Sequence, residues 1–420
     1  MPLRVEGSSG HNSPMENSRS DTKNPPVRIV SMTVRRIMLP LKIKVEHASK
    51  VRRESENVVV ECRLSDGTVG YGEGVPRVYV TGEDCSRSIE ILRNADWNQV
   101  HQPVGSFDAA VELADRFSLP PQEGDDRKIV GNAARCAAEL AMLDAFGRSF
   151  GRSLSEVAAR PEFASIYEPR KKVKYTGAIT TKGKWKGRIY AWAWRFVDPA
   201  DVKIKVGMPG CDDVKRLKTF RRIMPSLKFR IDANEAWTAA TAAERIRELE
   251  PFGISLVEQP VKHEEVGSLK EIRKGIQSPV MLDESLCSMV DAERAVAGGW
   301  CDVFNIRLSK CGGFLPSLRL AAYAKANSLK CQLGSHPGES SILTAAGRHF
   351  ACSVGGLVAL EGSFDAFLLK SRLTREDLTF SKFGAWAHEL GGPGLGVRID
   401  AAALDAVTLE TVPLFESSRP

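Results

Sequence analysis

The chain has 420 residues, 43% of them hydrophobic and 26% charged, and 59 Lys and Arg against 52 Asp and Glu give a net charge of +7. That composition excludes a disordered chain and a disulfide-stapled miniprotein, and no apolar run approaches the ~18 residues that span a bilayer. At ~150 residues per domain the length predicts two to three domains, and so faint a positive balance points to no particular partner.

Residues 1–26 are rich in Ser, Asn, Pro, Gly and charge. They read as a disordered tail without the apolar stretch of a secretory signal. Residues 29–45 are apolar and largely β-branched and predict a strand. Two further strands, 58–64 and 69–73, flank Asp66-Gly67, a hairpin signal because glycine accepts the positive φ of a tight turn. Helical spacing follows near 83–95, 107–117 and 132–148. In the last of these Ala133, Cys136, Ala137, Leu140, Leu143 and Ala145 share an apolar side, and Gly147 and Gly151 mark its end. Residues 27–150 are therefore expected to form an α+β domain, and residues 385–420, with the turn-rich stretch 391–397, are expected to return to it. Nine cysteines without a CxxC pair read as reduced thiols packed in a core, which favours the cytoplasm.

From 172 to 384 the pattern changes. Short apolar runs, each followed by a helical stretch, fall at 174–179, 202–206, 229–232, 254–258, 280–283, 303–307, 331–334 and 357–361. The last inward residues from the second run onward, 205, 232, 258, 283, 307, 334 and 361, lie 24 to 27 apart. Eight β-then-α units at that period predict an α/β protein with a parallel (β/α)8 barrel. A doubly wound open sheet is the competing arrangement, but no G-x-G-x-x-G follows the first strand.

In a barrel the strand ends share one mouth. Those positions carry Lys203 and Lys205, Asp232 with Asn234, Glu258, Asp283 with Glu284, and Arg307. Three carboxylates on three successive strands repel one another unless a cation joins them. An oxygen-only set without His or Cys suits Mg²⁺, with Mn²⁺ as the substitute, and leaves room for water and a small carboxylate substrate. Lys203 and Lys205 alternate along a strand and share a face. Ammonium groups ~4 Å apart at an effective dielectric of ~20 repel by about 4 kcal/mol, enough to depress one pKa towards neutrality and make that amine a base. Lys42 and Lys44 repeat the spacing with no carboxylate series attached and are given no role.

Together Val202-Lys203-Ile204-Lys205-Val206-Gly207, Asp232-Ala233-Asn234, Val257-Glu258-Gln259-Pro260 and Asp283-Glu284-Ser285 resemble the enolase superfamily. Within it they resemble the muconate lactonising enzyme subgroup, which holds muconate and chloromuconate cycloisomerases, dipeptide epimerases and o-succinylbenzoate synthases. The likeness runs from about residue 27 to 410 and includes Gly70-Tyr71-Gly72-Glu73 and the turn-rich stretch near the end. The resemblance implies an enolase-type barrel with an N-terminal capping domain completed by the C-terminal segment, a homo-oligomer, and an enolate stabilised by Mg²⁺. It also implies that Asp232, Glu258 and Asp283 hold the metal and that Lys205 moves the proton α to the substrate carboxylate. Lys203 would tune that lysine and grip the carboxylate, and Asn234 and Glu284 would orient the ligands.

The subgroup places a second acid/base lysine on the sixth strand, 24 residues after the third ligand; here that position is Arg307, and a lysine follows only at Lys310. Arginine stays protonated and cannot accept a proton, although it can grip a carboxylate. The leading expectation is therefore a one-base isomerase, cycloisomerase-like, with Lys205 carrying the proton and Arg307 acting by its charge. The alternative is epimerisation of an L-Ala-D/L-Glu-type dipeptide with Lys310 reaching inward. The segment 76–83 supports it, although residues 360–365 carry no clean paired-aspartate motif. An o-succinylbenzoate synthase or acid-sugar dehydratase, and more remotely a non-catalytic metal-dependent binding protein, complete the set.

Near the mouth His336, Glu339, Glu361 and Asp365 are candidate substrate contacts, and His47 lies in a stretch, 40–55, resembling a loop that closes over the barrel. Residues 185–196 mix basic and aromatic side chains as a nucleic-acid reader would. Trp185, Ile189, Trp192 and Phe196, however, fall at i, i+4, i+7 and i+11, which predicts a helix face packed on the sheet or on a neighbouring subunit. Neither nucleic acid nor membrane is an expected partner.

Overall fold

The computed structural model describes residues 25–46 and 51–417. The tail expected at 1–26, apart from its last two residues, and His47 lie outside the described residues. Strands β1 (Ile29–Glu46), β2 (Val51–Leu64) and β3 (Val69–Gly74) form an antiparallel meander. The β2–β3 turn closes at Gly67, whose φ is 86°, with the Thr68 amide donating to Asp66 Oδ1 at 2.8 Å. Gly70, Gly72 and Gly74 share one face of β3, and the helix Asn132–Ser149 lies directly on it. A Cβ on Gly72 would sit 2.1 Å from the Ala137 carbonyl oxygen. The helix answers with Ala133, Ala137 and Ala141, so the two backbones approach as closely as missing side chains allow.

The chain then enters β4 (Lys172–Lys174), β5 (Gly177–Ile179), β6 (Val202–Lys205), β7 (Phe229–Asp232), β8 (Ile254–Glu258), β9 (Val280–Leu282), β10 (Val303–Ile306), β11 (Lys330–Leu333) and β12 (Leu357–Leu360). Strands β5 to β12 make one parallel eight-stranded sheet in sequence order. The Thr176 amide donates to the Leu360 carbonyl at 2.8 Å and joins its first edge to its last, so the sheet closes into a (β/α)8 barrel. Lys205 stands level with Asp232, and Asp232 with Glu258. Glu258 is level with Met281, which puts Asp283 two residues further on and on the same side of the strand.

Two boundaries differ from expectation. The run 174–179 is broken, because the chain changes partner at Tyr175: its amide bonds to Ala385, the next amide to Leu360, and β4 pairs instead with β13 (Trp386–His388). After β12 there is only a four-residue helix, Asp365–Leu368, in place of a full eighth helix. The chain passes through β13 to β14 (Thr408–Glu416), which pairs antiparallel with β1, Ser31 opposite Glu416.

The helix Lys184–Val197 is turned the other way from the expected packing on the sheet. Trp185, Ile189, Trp192 and Phe196 are 77%, 64%, 46% and 72% exposed. Its buried side carries Gly187 against Phe220, Ala191, and Trp194, whose indole N–H reaches the Ala178 carbonyl at 2.9 Å. Small residues let the helix sit close to the barrel and push the aromatic ridge outward. All nine cysteines are free, eight of them buried. Among the described residues no helix is long and apolar enough to cross a membrane.

Candidate active site

The barrel mouth gathers the carboxylates of Asp232, Glu258 and Asp283, each at most 5% exposed, at the ends of neighbouring strands. Among the described residues no ready-made cluster of three such groups stands at metal-binding spacing. Cationic side chains stand beside all three. Lys203 Nζ is 2.8 Å from the Glu361 carboxylate, 3.4 Å from Glu258 and 3.5 Å from Asp232. Arg307 donates to Asp283 Oδ2, and Lys310 Nζ lies 2.9 Å from Asp283 Oδ1.

The donor set nonetheless fits a hard divalent cation. Among the described residues Glu258 Oε2 is buried and accepts no hydrogen bond, while Oε1 accepts from the Asn305 amide at 2.8 Å and lies 3.7 Å from Arg307. Burial, with Asp232, Glu361 and Asp283 nearby, pushes the Glu258 carboxyl well above its ordinary range despite Lys203. A buried carboxylate oxygen that accepts no hydrogen bond is one that a hard cation can occupy. Asp283 behaves oppositely: burial works against its charge, but Arg307 and Lys310 outweigh burial and hold it well below the carboxylate range.

The two lysines of β6 part company. Burial lowers Lys205, with Lys203 and Arg307 adding to the effect and Asp232 opposing it. Sequence reasoning expected repulsion between the lysines to do this, but burial is the larger cause. Lys203 is also opposed by burial, yet Glu258, Glu361 and Asp232 raise it above its ordinary value, so it is a fixed ammonium. Lys310 is 1% exposed, and its three N–H groups meet Asp283 O at 2.6 Å, Asp283 Oδ1 at 2.9 Å and Asn305 O at 2.8 Å. Its donors are spent below the mouth.

Asn234 and Glu284 touch each other at 3.3 Å, and the Asn234 backbone amide holds Asp232 Oδ1 at 3.0 Å. Burial and Asp283 push Glu284 up to about 8. On the far wall, burial keeps His336 well below its ordinary pKa, and neither ring nitrogen has a hydrogen-bond partner. Glu339, 3.7 Å from the ring, is pushed by burial up to about 8, and Asp365, bonded to Thr344 at 2.9 Å, to about 7. Glu361 is turned away from this wall towards Lys203 and Arg230. The N-terminal sheet grips the loop that carries His336: Glu73 accepts from the Ser340 amide and hydroxyl and from the Leu343 amide, and Asn57 donates to Gly338 O.

Sequence reasoning missed the polar layer beneath the mouth. Arg230 lies two residues before Asp232, Asn305 two before Arg307 and Gln332 two before Gly334, all fully buried. Gln259, also missed, accepts the Asp283 amide at 2.9 Å. The available signal was period two: a polar residue two places before a mouth residue faces the barrel interior.

The family described as enolase C-terminal domain-like matches residues 194–403, half of the chain. The chain is 28% identical over 386 residues to the L-Ala-D/L-Glu epimerase of Bacillus subtilis, spanning 90% of this chain and 98% of the relative. It is 28% identical over 398 residues to muconate cycloisomerase 1 of Rhodococcus opacus, again 90% and 98%. The solved dipeptide epimerase of Enterococcus faecalis, complexed with Mg and L-Leu-L-Tyr, superposes with a TM-score of 0.75 at 24% identity, over 88% of this chain and 99% of that one. The chain belongs to the enolase superfamily and is an isomerase-type enzyme within it.

Proposed function

We propose that the chain is a Mg²⁺-dependent, cycloisomerase-like isomerase of a small carboxylate, in which Lys205 moves the proton α to the carboxylate. The observation that carries this reading is the contrast between two cationic walls. Lys205 is lowered by burial and set at a strand end, whereas Arg307 and Lys310 are bound to Asp283. Asp232, Glu258 and Asp283 would hold the metal, with Mn²⁺ as a substitute. When bound, such an ion supplies positive charge beside the substrate carboxylate. Lys203, a fixed ammonium beside Asp232 and Glu258, adds to that charge, and Arg307 adds more from the opposite wall without exchanging a proton. One proton carrier on one face suffices for cycloisomerisation.

Dipeptide epimerisation is the second reading, favoured by likeness to the Bacillus subtilis epimerase. It needs a proton carrier on the other face. Lys310 has no donor left for that task, so His336, neutral and buried on the far wall, would have to serve.

The same reading takes the protein as a cytoplasmic homo-oligomer, in keeping with nine free cysteines and an exposed aromatic ridge of the kind that subunit contacts cover. Phe196→Glu is expected to lower the mass measured by light scattering; an unchanged mass would remove the ridge from the interface. The functional test is incubation of the full chain with cis,cis-muconate and with L-Ala-L-Glu, in MgCl₂ or in EDTA. Lactonisation of cis,cis-muconate that requires the metal and Lys205 supports the proposal, whereas epimerisation of L-Ala-L-Glu supports the second reading. Turnover in EDTA, or no turnover and no α-hydrogen exchange with either compound, contradicts it.

A further inference from the structure

Below the mouth the charges form a ladder. Arg230, 1% exposed, donates to Asp201 Oδ2 at 2.7 Å, to Gln332 Oε1, to Thr176 Oγ1 at 3.3 Å and to Glu361 Oε1 at 3.1 Å. Gln332 also donates to Glu361 Oε1, at 3.3 Å. Glu361 in turn accepts from Lys203 at 2.8 Å. Only this last contact of Lys203 is at hydrogen-bond length; its distances of 3.4 Å to Glu258 and 3.5 Å to Asp232 are beyond it.

We propose that Glu361 is a positioning residue that tethers the Lys203 ammonium and keeps it off the two carboxylates that a metal requires. Without the Glu361 carboxylate, the nearest acceptors of Lys203 are Glu258 Oε2, buried and without a hydrogen bond, and Asp232 Oδ2. A buried ammonium does not stay unpaired, so it would close onto both and occupy the oxygens by which a cation is held. Arg230 and Gln332 hold the tether from below, so that Glu361 cannot follow Lys203 upward. Glu361 thus acts on the substrate only through the metal site, not by touching it.

The inference rests on the metal reading above, and MgCl₂ titrated calorimetrically into the full chain separates the two. Native protein that binds no Mg²⁺ contradicts the metal reading itself. Given native binding, Glu361→Gln is expected to weaken Mg²⁺ about 10- to 100-fold, the range for groups that orient metal ligands, with a melt that stays cooperative. In a Lys203→Met background there is no ammonium to collapse, and adding Glu361→Gln is expected to change affinity by less than about threefold. A loss of equal size in both backgrounds, or native affinity in Glu361→Gln, overturns the tether. If Glu361→Gln does not fold, Glu361→Asp carries the test: its shorter reach predicts an intermediate loss of Mg²⁺ affinity, and native affinity overturns the proposal.

Discussion

The β6 and β10 walls of the mouth both carry cationic side chains and use them differently. On β6 the two lysines divide: Lys203 is raised by the acids around it, Lys205 lowered by burial. Just past β10 both cations, Arg307 and Lys310, pair with the carboxylate of Asp283. The contrast shows that residue type does not decide whether a cationic group can move a proton. Lys205 and Lys310 are both buried lysines near a carboxylate of the barrel mouth. Lys310 has three acceptors at 2.6 to 2.9 Å, and although burial opposes it the charge of Asp283 raises it. Burial prevails only at Lys205.

Removing the movable proton is the strongest way to test that contrast. Lys205→Ala is expected to lower kcat by about 10² to 10⁴ while the Mg²⁺ affinity measured by calorimetry stays native. Lactonisation of cis,cis-muconate ends with Lys205 delivering a proton to the enolate carbon, so the ammonium is the active form and the rate should fall as the pH rises through the lowered Lys205 pKa. A native pH profile without that alkaline limb would break the assignment.

The opposite wall predicts a stability effect. Arg307→Met leaves Asp283 buried with one cation instead of two, and breaking such a pair costs about 3–5 kcal/mol. Urea unfolding without metal should show that loss, and saturating Mg²⁺ should recover more stability in the variant than in the native chain, because a competitor for Asp283 is gone. Equal recovery in both would mean that Arg307 and the metal do not share that carboxylate.

A smaller effect concerns the β11 loop. Glu339 titrates near 8 in the folded chain, above the ordinary value of 4.5, because burial favours its neutral form. Its contribution is therefore complete below pH 4.5 and is lost as the pH rises through about 8. Folding stability should decline by about 1 kcal/mol per pH unit across that window from this group, and Glu339→Gln should flatten the decline. An unchanged slope in the variant would show that another group of the far wall, such as Asp365, carries it.

The barrel was legible because its period is written in strand ends: 205, 232, 258 and 283 lie 25 to 27 residues apart, and the register sets the first three level. The aromatic ridge shows the limit of periodicity. Spacing of i, i+4, i+7 and i+11 identifies one face of a helix but not which way it points, and Gly187 and Ala191 decided that by permitting close approach. Arg230, Asn305 and Gln332 escaped notice because each stands inside an apolar run, where a single polar residue is easily assigned to the outer face. The partners of Lys310 were also hidden: two of its three acceptors are main-chain carbonyls, which every residue possesses and no sequence pattern marks.

The most direct measurement is the stereochemistry of deuterium uptake from D₂O, with Mg²⁺ present, in whichever of cis,cis-muconate and L-Ala-L-Glu turns over. Proton movement at one face by Lys205 predicts label delivered to a single face, retained configuration at any α-carbon that exchanges, and no uptake in Lys205→Ala. Label delivered to both faces with inversion, or uptake that survives in Lys205→Ala, would contradict it.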